Sequence, residues 1–217
     1  MFVGERMRHP VITIKPDMPI QDALNLMHEE HVRRLPVINP HGEMVGIVTE
    51  KDLLNASPSD ATTLSVWEIS YLLSKVTVDR IMNREVVTVT EDTPLEEAAR
   101  LMADSKIGSL PVMRGKDLVG IITETDLFKL FLELLGAREP GIRMTVQVRD
   151  APGVLHQLTG AIQELKGNII ALGSISGDSA EDRRVTIKVS GVDPEVLRKA
   201  VEPLVEQVID IRKTVAF

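Results

Sequence analysis

The stretch Val45-Gly46-Ile47-Val48-Thr49-Glu50-Lys51-Asp52-Leu53 returns later in the chain as Val119-Gly120-Ile121-Ile122-Thr123-Glu124-Thr125-Asp126-Leu127. Each copy reads as a short apolar strand that passes, at a threonine, into a helix. The likeness extends upstream. Leu35-Pro36-Val37 matches Leu110-Pro111-Val112. Met7, Val11, Thr13, Asp17, Pro19, Ala23, Leu26 and Met27 match Met82, Val86, Thr88, Asp92, Pro94, Ala98, Leu101 and Met102. One residue is lost between the copies at the turn around His41-Gly42. Identities this dense, in register, mark an internal duplication, and a duplication governs the fold.

Both copies predict the same elements. Val11 to Ile14, or Val86 to Val89, alternates like a strand. Asp17 and Pro19, or Asp92 and Pro94, announce a helix with proline near its first turn. Apolar residues then recur at helical spacing: Ile20, Ala23, Leu24 and Met27, or Leu95, Ala98, Ala99 and Met102. Two apolar strands follow, Leu35–Ile38 and Met44–Val48, or Leu110–Met113 and Leu118–Ile122. A second helix starts at Thr49 or Thr123. The unit is β-α-β-β-α, over 1–60 and again over 76–135. A unit of this size buries too little surface to be secure alone, so the two are expected to pack as a pseudo-twofold pair. Between them, 61–75 reads as a helical segment after Ser57-Pro58-Ser59. It carries Trp67 and Tyr71, one turn apart and suited to packing.

A linker at 136–141, Gly-Ala-Arg-Glu-Pro-Gly, precedes a different pattern. Ile142, Met144, Val146 and Val148 alternate as a strand. Val154, Leu155, Leu158, Ala161, Ile162 and Leu165 follow at helical spacing, with Gly167 expected at the left-handed position after the helix. Strands at Ile169–Ser176 and Val185–Val189, a helix opening at Asp193-Pro194 and a last strand through Val208–Ile211 complete the region 142–217. The order β-α-β-β-α-β is ferredoxin-like. The fold class is α/β, or more strictly α+β.

Composition narrows the function. Of 217 residues 43% are hydrophobic, but only 3% are aromatic. This disfavours nucleic-acid modules that stack bases on aromatic platforms. The net charge of -7 is opposite to that of a phosphate-backbone binder. There is no cysteine, which excludes disulfides, thiol catalysis and thiolate zinc sites. No run approaches the ~18–20 apolar residues of a membrane span, and Met1–Pro10 lacks the apolar core of a signal peptide. A cytoplasmic location is expected, with neither membrane nor nucleic acid as partner. The histidines show no metal-ligand spacing. Nucleophile-elbow and Walker-type motifs are absent, so no catalytic constellation, catalytic cofactor or metal is expected.

Three motifs carry binding chemistry. Gly-x-x-Thr-x-x-Asp occurs as Gly46/Thr49/Asp52 and Gly120/Thr123/Asp126. One such motif would be read as a helix cap. Two, each after a strand and a glycine that permits close approach, also suit a nucleotide. The hydroxyl and nearby amides can bond phosphate, and the carboxylate can accept from ribose hydroxyls. His31-Val32-Arg33-Arg34 offers two guanidiniums for phosphate. Its counterpart Lys106-Ile107-Gly108-Ser109 offers none. Asp150-x-Pro152-Gly153-x-Leu155 is either turn chemistry or a small-ligand loop whose amides hold a carboxylate while Asp150 holds an amine.

With its Leu-Pro-Val strands and doubled Gly-x-x-Thr-x-x-Asp, the duplicated part resembles a tandem pair of CBS domains (the cystathionine-beta-synthase regulatory module). Residues 142–217 resemble an ACT domain, an amino-acid-sensing module, through Asp150-x-Pro152-Gly153-x-Leu155 and Gly167-Asn168-Ile169. The combination is similar to bacterial CBS–ACT proteins of the acetoin utilization AcuB type. The resemblance implies two adenine-nucleotide clefts, each built from both repeats. The first would use Arg33, Arg34, Ile47, Thr49, Lys51 and Asp52, with Met82, Val87 and Ile107 from the other repeat. The second would use Ile121, Thr123 and Asp126, with Met7, Ile12 and Val32 around the base and Gly108 where the first has its arginines. It also implies an amino-acid site at Asp150, Pro152, Gly153, Val154, Leu155 and Asn168, and self-association as a homodimer or larger. The function implied is a non-catalytic sensor, responsive to AMP, ADP, ATP or a related nucleotide, that controls a partner protein. A constitutive dimeric scaffold with empty sites, or an enzyme of acetoin or acyl-CoA metabolism, are the alternatives.

Overall fold

The computed structural model describes residues 1–56 and 75–215. The expected helix carrying Trp67 and Tyr71 lies outside them. The chain divides into two compact units, Met1–Leu127 and Phe128–Phe217, and the boundary falls within one helix.

In the first unit the halves repeat each other. Helix α1 (Ile20–Glu29) buries Ile20, Ala23 and Met27. It precedes the antiparallel pair β1 (Arg34–Ile38) and β2 (Met44–Thr49) and helix α2 (Glu50–Ala56). The second half gives α3 (Leu95–Ser105), burying Leu95, Ala98 and Met102, then β3 (Ser109–Arg114), β4 (Asp117–Thr123) and α4 (Glu124–Leu134). The helices begin where proline was expected to start them, directly after Pro19 and Pro94.

Val11–Ile14 and Val86–Val89 do not form the strands their alternation predicts. Each makes one parallel bridge only, Ile14 to Val37 and Val89 to Val112. The reason lies in the opposing strand. Ile14 donates to Pro36 and accepts from Ile38, as Val89 donates to Pro111 and accepts from Met113. The next rung of that ladder would need an amide from Pro36 or Pro111, and proline has none. The Leu-Pro-Val motif itself therefore ends the ladder after one rung.

The halves also exchange their leading segments. Residues 1–8 lie on the second repeat: Val3 donates to Thr93, and Arg8 pairs with Ile121 in both directions. Residues 76–83 lie on the first: Ile20 donates to Val76, and Asn83 pairs with Ile47 in both directions. Val78 and Met82 accordingly belong to the apolar cluster of Ile14, Ile20, Leu35 and Leu53. Glycine permits each crossing. A Cβ on Gly46 would meet Met82 Sδ at 2.8 Å and the Asn83 carbonyl at 2.9 Å, and one on Gly120 would strike Met7.

The second unit has the expected β-α-β-β-α-β order. Its elements are β5 (Gly141–Arg149), α5 (Val154–Glu164), β6 (Asn168–Ser176), β7 (Asp182–Ser190), α6 (Pro194–Val201) and β8 (Gln207–Thr214). The sheet runs β6-β7-β5-β8, all neighbours antiparallel. Ile142, Met144, Val146 and Val148 pack with Val185, Ile187 and Val189 against Leu158, Ile162, Leu197 and Val201. Asp193 caps α6 by accepting from the Glu195 and Val196 amides. Across β5 and β8, Arg143 and Arg212 flank Asp210, and the Arg212 hydrogen bond leads in holding that carboxyl below its usual range. Gly167 is not the left-handed residue after α5. Lys166 takes that conformation, at φ 58°. Gly167 is instead a packing position, where a Cβ would lie 2.7 Å from Val192 and 2.9 Å from Ile162 and Val189.

Candidate functional site

Both Thr–Asp pairs close as reciprocal caps on the helix that follows. Asp52 Oδ2 accepts from the Thr49 amide at 2.9 Å and the Thr49 hydroxyl at 2.7 Å, while the Asp52 amide donates back to that hydroxyl at 3.2 Å. Thr123 and Asp126 repeat the arrangement at 3.1, 2.6 and 3.4 Å. The capping and ligand readings are thus compatible: each carboxylate spends one oxygen on the cap. Asp126 spends its other on Arg8, whose Nε lies 3.1 Å from Oδ1.

Beside the first pair lies a cavity of about 350 Å³. Of the expected residues, Arg33, Arg34, Ile47, Thr49, Lys51, Val87 and Ile107 line it, and so does Gly108, which was expected in the second cleft. Asp52 and Met82 do not; Asp52 is turned into the cap and Met82 against Gly46. Glu50, Asn83, Glu85, Val86, Lys106 and Ser109 line it as well. Sequence reasoning passed over these six, although Lys106 and Ser109 sit beside chosen residues. Asn83, at the end of the exchanged segment, and Glu85, just after it, reach the cavity because that segment crosses. Four cations, Arg33, Arg34, Lys51 and Lys106, face two carboxylates, Glu50 and Glu85. The lining is therefore cationic in a protein of negative net charge.

A second cavity, of about 250 Å³, lies beside Thr123. Val32, Gly108, Ile121 and Thr123 line it as expected. Met7, Ile12 and Asp126 do not: Met7 packs on Gly120, and Ile12 packs against the first repeat's core. Arg33 and Arg34 line this cavity too, with Arg8, His31, Glu124 and Thr125. The arginines were expected in the first cleft alone; the structure gives them to both. Gly108 is what permits it. A Cβ there would collide with the Arg34 guanidinium and lie 2.6 Å from Glu124 Oε2. The position that lacks a side chain is where Arg34 crosses.

In the second unit a cavity of about 230 Å³ follows β5. Asp150, Val154 and Leu155 line it, with Val148, Arg149, Ala151, Ser174, Arg183 and Val185. Two of these lining residues are bonded to each other, Arg183 Nε donating to Asp150 Oδ2 at 3.0 Å. Pro152 and Gly153 shape the turn without lining it; Gly153 caps α5 at φ 89°. Asn168 is far from it. It opens β6 opposite Ser190, whereas the lining residue Ser174 pairs with Val185 further along the same ladder.

A CBS-domain family model matches residues 3–59 and 78–133, and a TTHA0829-like ACT-domain model matches residues 140–212. The chain belongs to the CBS-domain family, as a CBS pair followed by an ACT domain. A CBS domain-containing protein of Dictyostelium discoideum is 32% identical over 136 residues, 62% of this chain and 94% of that protein. Among solved structures, the CBS domain pair of protein MJ0100 in complex with 5′-methylthioadenosine and S-adenosyl-L-methionine is 28% identical, covering 64% of this chain and 98% of that one, with TM-score 0.52. A Vibrio cholerae protein named for acetoin utilization (AcuB) is 31% identical over 64% of this chain and 98% of its own, also with TM-score 0.52. Longer relatives include enzymes, a sulfurtransferase and homoserine O-acetyltransferases, of which the chain spans 23% or 24%. No helix among the described residues is long and apolar enough to cross a membrane.

Proposed function

We propose that this chain is a non-catalytic sensor that binds an adenine nucleotide in its CBS pair and an amino acid in its ACT domain, and so controls a partner protein. The observation that carries the reading is the cavity at Thr49, where four cations and a threonine hydroxyl face an apolar wall of Ile47, Val86, Val87 and Ile107. Cations beside an apolar wall suit a ligand with an anionic phosphate end and a flat apolar base. The adenosine compounds held by the MJ0100 pair support the nucleoside half of this assignment. In the ACT domain, Asp150 would take an ammonium, and Arg183 or Arg149 a carboxylate. The ion pair that now joins Asp150 to Arg183 would be replaced by a zwitterion's two ends. The enzymes among the relatives share only this segment of their length, which fits a regulatory rather than a catalytic part. The reading keeps domain limits of 1–60, 76–135 and 142–217, a cytoplasmic location and a self-associating chain.

Thermal unfolding with AMP, ADP or ATP tests it. A ligand at a hundred times its dissociation constant stabilises by about 2.7 kcal/mol. At ~2–4 °C per kcal/mol for a chain of this length, the melting temperature should rise by several degrees. Absence of any shift with millimolar adenine compounds would instead favour the scaffold reading. Turnover of nucleotide or acetoin by the purified protein would favour the enzyme.

A further inference from the structure

Resting on the reading that each Thr–Asp pair, though turned into its helix cap, offers a ribose the carboxylate oxygen the cap leaves over, we propose that Arg8 is a latch on the second cleft. Its guanidinium holds Asp126, so a nucleoside binds there more weakly than beside Asp52 until the pair opens.

The two halves differ here in one side chain on matched backbone. Arg8 exchanges two main-chain hydrogen bonds with Ile121, at 2.9 and 3.1 Å; Asn83 exchanges two with Ile47, both at 2.9 Å. From this common position Arg8 Nε reaches Asp126 Oδ1 at 3.1 Å. Asn83 turns away. Its side-chain oxygen accepts from the Glu85 amide at 3.0 Å, and its nitrogen donates to the Glu85 carbonyl at 3.3 Å. Asp126 therefore has both oxygens engaged, Oδ2 by the Thr123 cap and Oδ1 by a cation. Among the described residues, no cation pairs with Asp52. The Asp126 side chain is only 10% exposed, so its carboxylate can be approached from few directions, and the arginine takes one of them. The second cavity is also the smaller, about 250 Å³ against 350 Å³.

The latch is reversible by construction. The Arg8 side chain is 48% exposed and loses little on swinging into solvent. An ion pair of that kind contributes at most ~1 kcal/mol, about fivefold in a dissociation constant. Salt weakens it. The second cleft is thus held about fivefold down, not sealed, and the two clefts fill in order.

Calorimetry on the full chain with adenosine tests this. Adenosine carries no phosphate, so contacts between arginine and phosphate do not enter. In an Asp52→Ala background, which disables the first cleft, Arg8→Asn should tighten adenosine binding about fivefold. Raising the salt should tighten it in the protein that keeps Arg8 and leave R8N unchanged. Arg8→Gln repeats the measurement with a longer neutral stem should R8N fold poorly. Adenosine affinity unmoved by R8N, or two adenosine sites of equal affinity in the unaltered protein, overturns the latch and leaves the sensor reading standing. AMP binding weakened by R8N with adenosine unaffected makes Arg8 a phosphate ligand and also overturns it. A protein that binds neither adenosine nor AMP in any form overturns the sensor reading and the latch together.

Discussion

At the residue scale, Thr49 and Thr123 each hold a helix start and face a cavity. The cap should be measurable without any ligand. Thr49→Ala removes the hydroxyl that accepts from the Asp52 amide and donates to its carboxylate. Loss of such a cap costs about 0.5–2 kcal/mol, expected as a lower denaturation midpoint with an unchanged slope. These residues were legible because the motif occurs twice; a single copy would have read as a cap and nothing more. Arg8, Asn83 and Glu85 were not legible. They reach a cleft only because leading segments cross between the repeats, and no local periodicity records such a crossing. Arg33 and Arg34 were legible as phosphate candidates, but Arg34's service to both cavities depends on the missing side chain of Gly108.

At the element scale, the helices and the β1–β2 and β3–β4 pairs follow from periodicity and from Pro19, Pro94, Thr49 and Thr123. The failed strands at Val11–Ile14 and Val86–Val89 follow from a rule that acts on the neighbour: alternation suits the segment, but the proline opposite has no amide to give. Gly167 shows the same limit. Its place just past a helix suggests a turn role, while its actual constraint is the crowd of Val192, Ile162 and Val189 around it. Gly167→Ala should therefore destabilise the ACT domain although its backbone is compatible with alanine. Overpacking of this kind costs typically 1–3 kcal/mol. Urea unfolding followed by circular dichroism reads it, and an unaltered midpoint would return Gly167 to a turn role. Its neighbour Lys166, already at φ 58°, is the position where Lys166→Gly relieves strain instead.

At the scale of the whole molecule, the apolar clusters are separate. One draws on residues between Ile12 and Met82, the other on residues between Ile142 and Ile211. Units with independent cores unfold independently to the extent that each carries its own stability. Scanning calorimetry should then resolve two transitions, with adenosine raising one and leaving the other in place. A single transition that moves as a whole would mean the two modules melt as one.

The crossing of the leading segments sets an order in time. During synthesis the first repeat is translated up to Ala56 before the segment that completes its core, with Val78 and Met82, has been made. Residues 1–8 are finished first, yet their resting place beside Thr93 and Ile121 is made last. The first half cannot close when its own sequence ends, because Val78 and Met82 are still to come. The halves therefore mature in sequence: the ribosome carries an open, apolar first repeat until residue 83 has emerged, and residues 1–8 stay unplaced until Thr93 and Ile121 have followed.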